Sequence, residues 1–185
     1  MVRRMRRLNE AGWTLMEVMV VTGMILILAG IAAPQYSQLT GQMRSSGAAT
    51  QLLGNLQWAR SMSLRTGVPH YLATNGAGAV VYQVRRSAAP PLLNPASDPI
   101  LRQIDLSTSM PGIVFQANGA QNDPWGLPLS GPVPAQPLAF DGRGLPSGAG
   151  TFVVSTADGN FGYAVALTGA GRTRIFRQND AGGWQ

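Results

Sequence analysis

An α+β fold, one long N-terminal helix laid against antiparallel β-sheets, is predicted by the order of patterns in this 185-residue sequence. An apolar run and then a helical period extend from Trp13 to about Arg65, and about seven short strands separated by glycine and proline turns follow. The length leaves room for one membrane anchor and one modest soluble domain. No cysteine is present, so neither a disulfide framework nor a thiolate metal site is available, and the domain must be held by its apolar core.

The first half of the helix is an anchor. Arg3, Arg4, Arg6 and Arg7, opposed only by Glu10, precede 21 residues from Trp13 to Ala33 that carry a single charge, Glu17. As a helix this run spans roughly 30 Å, the thickness of the bilayer core. A secretory signal has an apolar core of about 7 to 15 residues that ends in a small-x-small site, whereas here the glycine lies ahead of the run. The arginines predict a cytoplasmic leader and an exported remainder, a single-pass topology. Glu17 costs a few kcal/mol in such a helix unless a cation meets it. Either it sits shallow and reaches the interface, or cleavage after Gly12 supplies an amino terminus, its own or a neighbour's.

Past Pro34 the sequence turns polar through Gln35, Tyr36, Ser37 and Gln38. Apolar residues return at Ala48, Ala49, Leu52, Leu53, Leu56, Ala59, Met62 and Ser63-Leu64, a spacing of three and four that marks one buried helical face. Gly41, Gly47 and Gly54 each weaken a helix by roughly 1 kcal/mol relative to alanine, so bending or melting is expected between Pro34 and Gly47. A continuous helix from Trp13 to Arg65 has 53 residues and a length of roughly 80 Å.

Gly67-Val68-Pro69 ends the helix, and His70–Ala73 and Ala79–Val84 read as a hairpin around Asn75-Gly76-Ala77-Gly78. Pro90, Pro91, Pro95 and Pro99 exclude regular structure until a strand from Ile100 to Leu106 that ends at Ser107, and Ile113–Gln116 is another. Asn118–Pro137, with five prolines, is a surface loop in which Trp125 either pins the loop to the core or meets a partner. Leu138–Phe140, Thr151–Ser155, Phe161–Thr168 and Arg172–Arg177 complete the strands, with turns at Asp141-Gly142-Arg143-Gly144 and Gly169-Ala170-Gly171. The tail after Gln178 reads as frayed.

Gly12-Trp13-Thr14-Leu15-Met16-Glu17 resembles the class III signal of type IV pilins and type II secretion pseudopilins, with glycine before the cut and glutamate fifth after it. Pro34 falls where that family commonly has a helix-kinking proline. The helix end Gln57-Trp58-Ala59-Arg60, the Phe140-Asp141-Gly142-Arg143-Gly144 turn and the final glycine-arginine hairpin are similar to the GspH/FimT branch of minor pilins and pseudopilins. The resemblance implies a pilin-like fold, cleavage after Gly12 by a prepilin peptidase, and N-methylation of Trp13. It further implies assembly with other pilin subunits through Glu17, Thr14 and Pro34. The organisation it implies is a cytoplasmic leader at 1–12, a transmembrane half-helix at 13–34, an amphipathic half at 35–66 and an exported β-rich domain at 67–185. The chain would be a single-pass protein of the bacterial inner membrane, its C-terminal domain periplasmic, that enters a filament; the anchor does not separate secretion from pilus systems.

The residues argue against an enzyme. His70 has no cysteine or acidic neighbour in sequence with which to form a metal or nucleophilic site, and the six aspartates are scattered. No cofactor or metal is implied, and a membrane-anchored periplasmic enzyme is the rival reading from another class. All 14 basic residues are arginine, which suits bidentate phosphate contacts, although genomic base composition explains the bias as well. In a strand, Arg172 and Arg174 project from one face about 7 Å apart, near the spacing of successive phosphates. Gly171-Arg172-Thr173-Arg174 is similar to the element with which FimT-like minor pilins bind DNA, so Arg172, Arg174, Arg177 and Arg143 are candidate DNA contacts. The competing reading is a solvated edge strand whose charges discourage aggregation.

Overall fold

The computed structural model describes residues 13–74, 80–90, 92–117, 120, 122–126, 128, 129, 131–179 and 183–185. Helix α1 (Leu15–Thr66) is followed by strands β1 (His70–Thr74), β2 (Val81–Arg86) and β3 (Ile100–Asp105) and a one-turn helix α2 (Leu106–Ser109). Strands β4 (Ile113–Phe115), β5 (Leu138–Phe140), β6 (Gly150–Thr156), β7 (Gly162–Leu167) and β8 (Thr173–Arg177) complete the chain. The fold is α+β, with every strand pairing antiparallel. Two compact units divide at Leu39/Thr40.

In the first unit, α1 begins at a cap, where the Thr14 hydroxyl accepts the Glu17 amide at 3.2 Å. Thr14 and Glu17 thus have the spacing of a capping box, with the threonine satisfying a donor that the first turn leaves unpaired. The apolar side chains from Trp13 to Ile31 are largely exposed, and α1 is long and apolar enough to cross a membrane. The helix continues without interruption through Pro34, Gly41 and Gly47. The melting expected between Pro34 and Gly47 is absent, so the cost of the glycines is met within the helix.

In the second unit, the predicted stripe is buried at Ala48, Ala49, Leu52, Leu56 and Ala59 and half-buried at Leu53 and Met62. Leu64 is exposed, because Ser63, four residues after Ala59, takes the inward position. Ala48, Ala49, Leu52, Leu56 and Ala59 enter a single core with Leu72, Tyr82, Val84 and Phe140 of one sheet and Phe115, Phe152, Val154 and Val165 of the other. The sheets run β3-β2-β1-β5 and β4-β6-β7-β8. Tyr82 meets Phe115 edge-on at 6.1 Å, and Phe115 meets Phe152 at 6.0 Å, so an aromatic row links the sheets. Each such pair adds roughly 0.5–1.5 kcal/mol beyond its buried area. Polar clamps fix the helix on the first sheet. Asn55 donates to the Tyr82 hydroxyl at 2.8 Å and accepts from Arg102 at 3.0 Å, while the Arg102 guanidinium lies 4.4 Å from the centre of the Trp58 ring. Burial pushes the Tyr82 phenol up to about 12.

Tyr71 points to the other face of the first sheet and is buried as well, because the segment from Ser87 to Pro99 folds over it around Asp98. The Asp98 carboxylate accepts from the Tyr71 hydroxyl at 2.7 Å and from the amides of Ala88 at 2.9 Å and Asn94 at 2.8 Å, and the Arg85 guanidinium bonds its carbonyl. Burial alone would raise this carboxyl; the hydrogen bonds and Arg85 outweigh it and hold the group below its usual range. The proline-rich stretch is therefore irregular but built on a buried polar centre.

The structure corrects two local expectations. β3 ends at Asp105, whose side chain accepts the Ser107 amide at 2.8 Å and starts α2, so Leu106 opens a helix and does not close a strand. The end of the chain is not frayed where it is described. Arg177 and Gln185 exchange backbone hydrogen bonds at 2.9 and 2.8 Å, and the Trp184 indole donates to the Asn122 carbonyl at 2.7 Å. The hairpin strands β1 and β2 pair as expected, while their turn at 75–79 lies outside the described residues.

Candidate nucleic-acid interface and assembly residues

The arginine hairpin is built from β7, a tight turn and β8. Thr168 organises the turn: its amide donates to the Arg172 carbonyl at 2.9 Å, and its hydroxyl accepts the Arg172 amide at 3.1 Å. Gly171 is buried with φ of 80°, a conformation that disfavours other residues. A β-carbon there would only come into ordinary contact with the Arg60 guanidinium at 3.5 Å, so the backbone conformation is what selects glycine. Arg60, on α1, donates to the Gly171 carbonyl at 3.1 Å, so the helix fixes the turn directly.

Strand register divides the arginines. Tyr163, Val165 and Leu167 belong to the core and pair with Arg177, Ile175 and Thr173. Paired residues share a face, so Arg177 lies on the core side of β8. Arg174 pairs with Ala166 and Phe176 with Ala164, on the opposite, outer face, and alternation puts Arg172 there too. Both Arg172 and Arg174 are exposed, and among the described residues neither has a carboxylate partner. Arg177 does not join them: five residues from Arg172, it has the opposite parity.

Arg143 lies on a different turn, the one between β5 and β6, and is paired with Asp141 at 3.4 Å. Asp141 anchors that turn by accepting the amides of Leu145 at 2.8 Å and Arg143 at 2.9 Å, and these bonds keep its carboxyl below the usual range. Gly142 passes so close to Gly67 at the end of α1 that a β-carbon would run into the Gly67 carbonyl. The Phe140–Gly144 motif is thus a docking turn for the helix end, a role its sequence did not disclose.

Trp125 packs on Phe176 with ring centres 5.7 Å apart and planes at 80°, yet remains 41% exposed. It pins the proline-rich loop to the sheet and also presents an aromatic surface. His70 is buried, with Nδ1 2.8 Å from the Val68 carbonyl; burial lowers its pKa, and among the described residues no hydrogen-bond partner meets Nε2. No cluster of three His, Asp or Glu residues suited to a metal occurs among the described residues. Of the assembly candidates, Trp13, Thr14 and Glu17 are exposed at the start of α1 and Pro34 lies within it, while Gly12 is outside the described residues.

Comparison with known proteins gives a family match and a structural match. Residues 48–171 match the model of the type II transport protein GspH. The crystal structure of the type IV minor pilin FimU of Pseudomonas aeruginosa aligns over 80% of this chain and 96% of its own, at 16% identity and a TM-score of 0.47. No curated protein matches in sequence.

Proposed function

The chain belongs to the GspH family of pilin-like type II transport proteins, and from that membership we propose that it is a non-enzymatic minor pilin or pseudopilin. In this reading the 1–12 leader stays in the cytoplasm, the exposed apolar start of α1 holds the protein in the bacterial inner membrane, and the β-rich domain is periplasmic. A prepilin peptidase cuts after Gly12 and Trp13 is N-methylated. The protein then enters the tip or initiating complex of a type II secretion or type IV pilus filament among other pilin subunits. Glu17 supplies the charge that pairs with a neighbour's new amino terminus, Thr14 caps the helix beside it, and Pro34 lies farther along the same packing element.

The observation that carries this reading is the family match, joined to a helix whose first half is apolar and exposed. A carboxylate at that depth has a reason to exist if assembly gives it a cation. The test is Glu17→Ala in cells, comparing the membrane and sheared-filament fractions. Loss from filaments with retention in membranes supports the reading; normal incorporation overturns it.

A second reading is favoured by one specific feature. Arg172 and Arg174 are exposed, share a face and lack carboxylate partners among the described residues. We propose that they bind DNA phosphates, as in a FimT-like minor pilin that takes up DNA. Substituting both with alanine should abolish salt-dependent DNA binding by the full chain in nonionic detergent, and unchanged affinity would favour a purely secretory role.

A further inference from the structure

The outer face of β8 carries more than two cations. Alternation along the strand puts Arg172, Arg174 and Phe176 in one row, about 7 Å apart, and Trp125 leans on Phe176 at 5.7 Å with 41% of its surface exposed. Phe176 supports the indole from one side at a near-perpendicular angle of 80°. The loop is tied to the C-terminal segment, where Trp184 donates to the Asn122 carbonyl at 2.7 Å, and within the loop Asp123 accepts the Trp125 amide at 2.9 Å. Trp125 is therefore an aromatic surface held against Phe176, on the strand that presents two exposed guanidinium groups without carboxylate partners among the described residues.

That combination has a specific chemical partner. Guanidinium groups attract phosphates on any nucleic acid, but an exposed aromatic ring gains from a base only where the base is free to leave its stack. We propose that Trp125 is a base-stacking residue and that, with Arg172 and Arg174, it makes the outer face of β8 a surface that prefers single-stranded to duplex DNA. The inference rests on the DNA-binding reading above and names the form of DNA that site takes. Charge favours a nucleic acid over a protein here, since the polar members of the row are both cationic.

The test is a titration of the full-length protein in nonionic detergent with three fluorescent probes of equal length: an oligothymidylate, a duplex, and an abasic strand that keeps the sugar-phosphate but lacks bases. The protein should bind the oligothymidylate about 5- to 150-fold more tightly than the abasic strand, the range expected for one stacked base. Trp125→Ala should remove that margin with little change for the duplex. Trp125→Phe, which keeps an aromatic face, should restore most of it. Arg174→Ala should weaken all three probes. Equal affinity of the unmodified protein for the oligothymidylate and the abasic strand overturns the stacking role, whatever the variant does to folding. So does a Trp125→Ala protein that loses all probes alike. Binding to none of the probes overturns the DNA reading itself and leaves the row to a protein partner.

Discussion

Arg60 Nη1 on α1 donates to the carbonyl of Gly171 in the β7–β8 turn at 3.1 Å, linking positions 111 residues apart. The turn needs Gly171 for its φ of 80°, and this bond ties it to the end of the Gln57–Arg60 segment.

Gly171→Ala should destabilise the protein by about 1–2 kcal/mol, because its φ of 80° lies in the left-handed region. Arg60→Gln should cost about 1 kcal/mol, the worth of a typical hydrogen bond. Urea unfolding checks both. Equal stability of Gly171→Ala and the unmodified chain would show that the turn is not held in this conformation.

The Asp98 centre makes a signed statement about pH. Its carboxyl is held below the ordinary aspartate range in the folded protein, so its contribution is fully present above the unfolded value and is lost as pH falls through the lower, folded one. Asp98→Asn should reduce stability at pH 7 and flatten the acid limb of the stability profile. Tyr71→Phe, which removes a charge-assisted bond to a buried group, should cost about 1–3 kcal/mol at neutral pH. Denaturant midpoints across the pH range provide the measurement.

Strand parity limits how many phosphates the hairpin can engage. With Arg172 and Arg174 on one face and Arg177 on the other, log K for duplex DNA should fall with log salt at a slope of about −1.8, set by two contacts. Counting all three arginines would give about −2.7. Arg177→Ala should leave the slope unchanged, and a reduction of about 0.9 would show that Arg177 reaches the backbone after all.

Leu52 and Leu56 are fully buried on the helical stripe. Replacing either with alanine should cost about 2–5 kcal/mol, and a change of less than 1 kcal/mol in urea unfolding would mean that α1 is not the core's organising element.

What could be read in the sequence was whatever repeats locally. The three-and-four spacing from Ala48 to Ala59 marks the buried face of α1 because a helix repeats its own environment, and the alternation in β2 does the same for a strand. Roles set by distant partners were hidden. Asp98 is a lone aspartate among prolines until Tyr71, 27 residues away, donates to it. Arg60 looks like one more exposed helical arginine until the turn at Gly171 is placed against it. Trp184 looks like part of a loose tail until Asn122 accepts its indole N–H, 62 positions away in the chain. The face of Arg177 is different in kind: its odd separation from Arg172 was visible in the numbering, and grouping the three arginines by proximity overlooked the pleat. The start of α2 also had a local signal in Asp105-x-Ser107, but four residues are too few to show a period.

The most direct test of the filament-subunit reading is the intact mass of the full-length protein recovered from membranes of cells that contain a prepilin peptidase. The unmodified chain is expected to lack residues 1–12 and to begin at an N-methylated Trp13, whereas Gly12→Ala should retain the whole leader. An unmodified chain that keeps residues 1–12, or a Gly12→Ala chain trimmed normally, would contradict it.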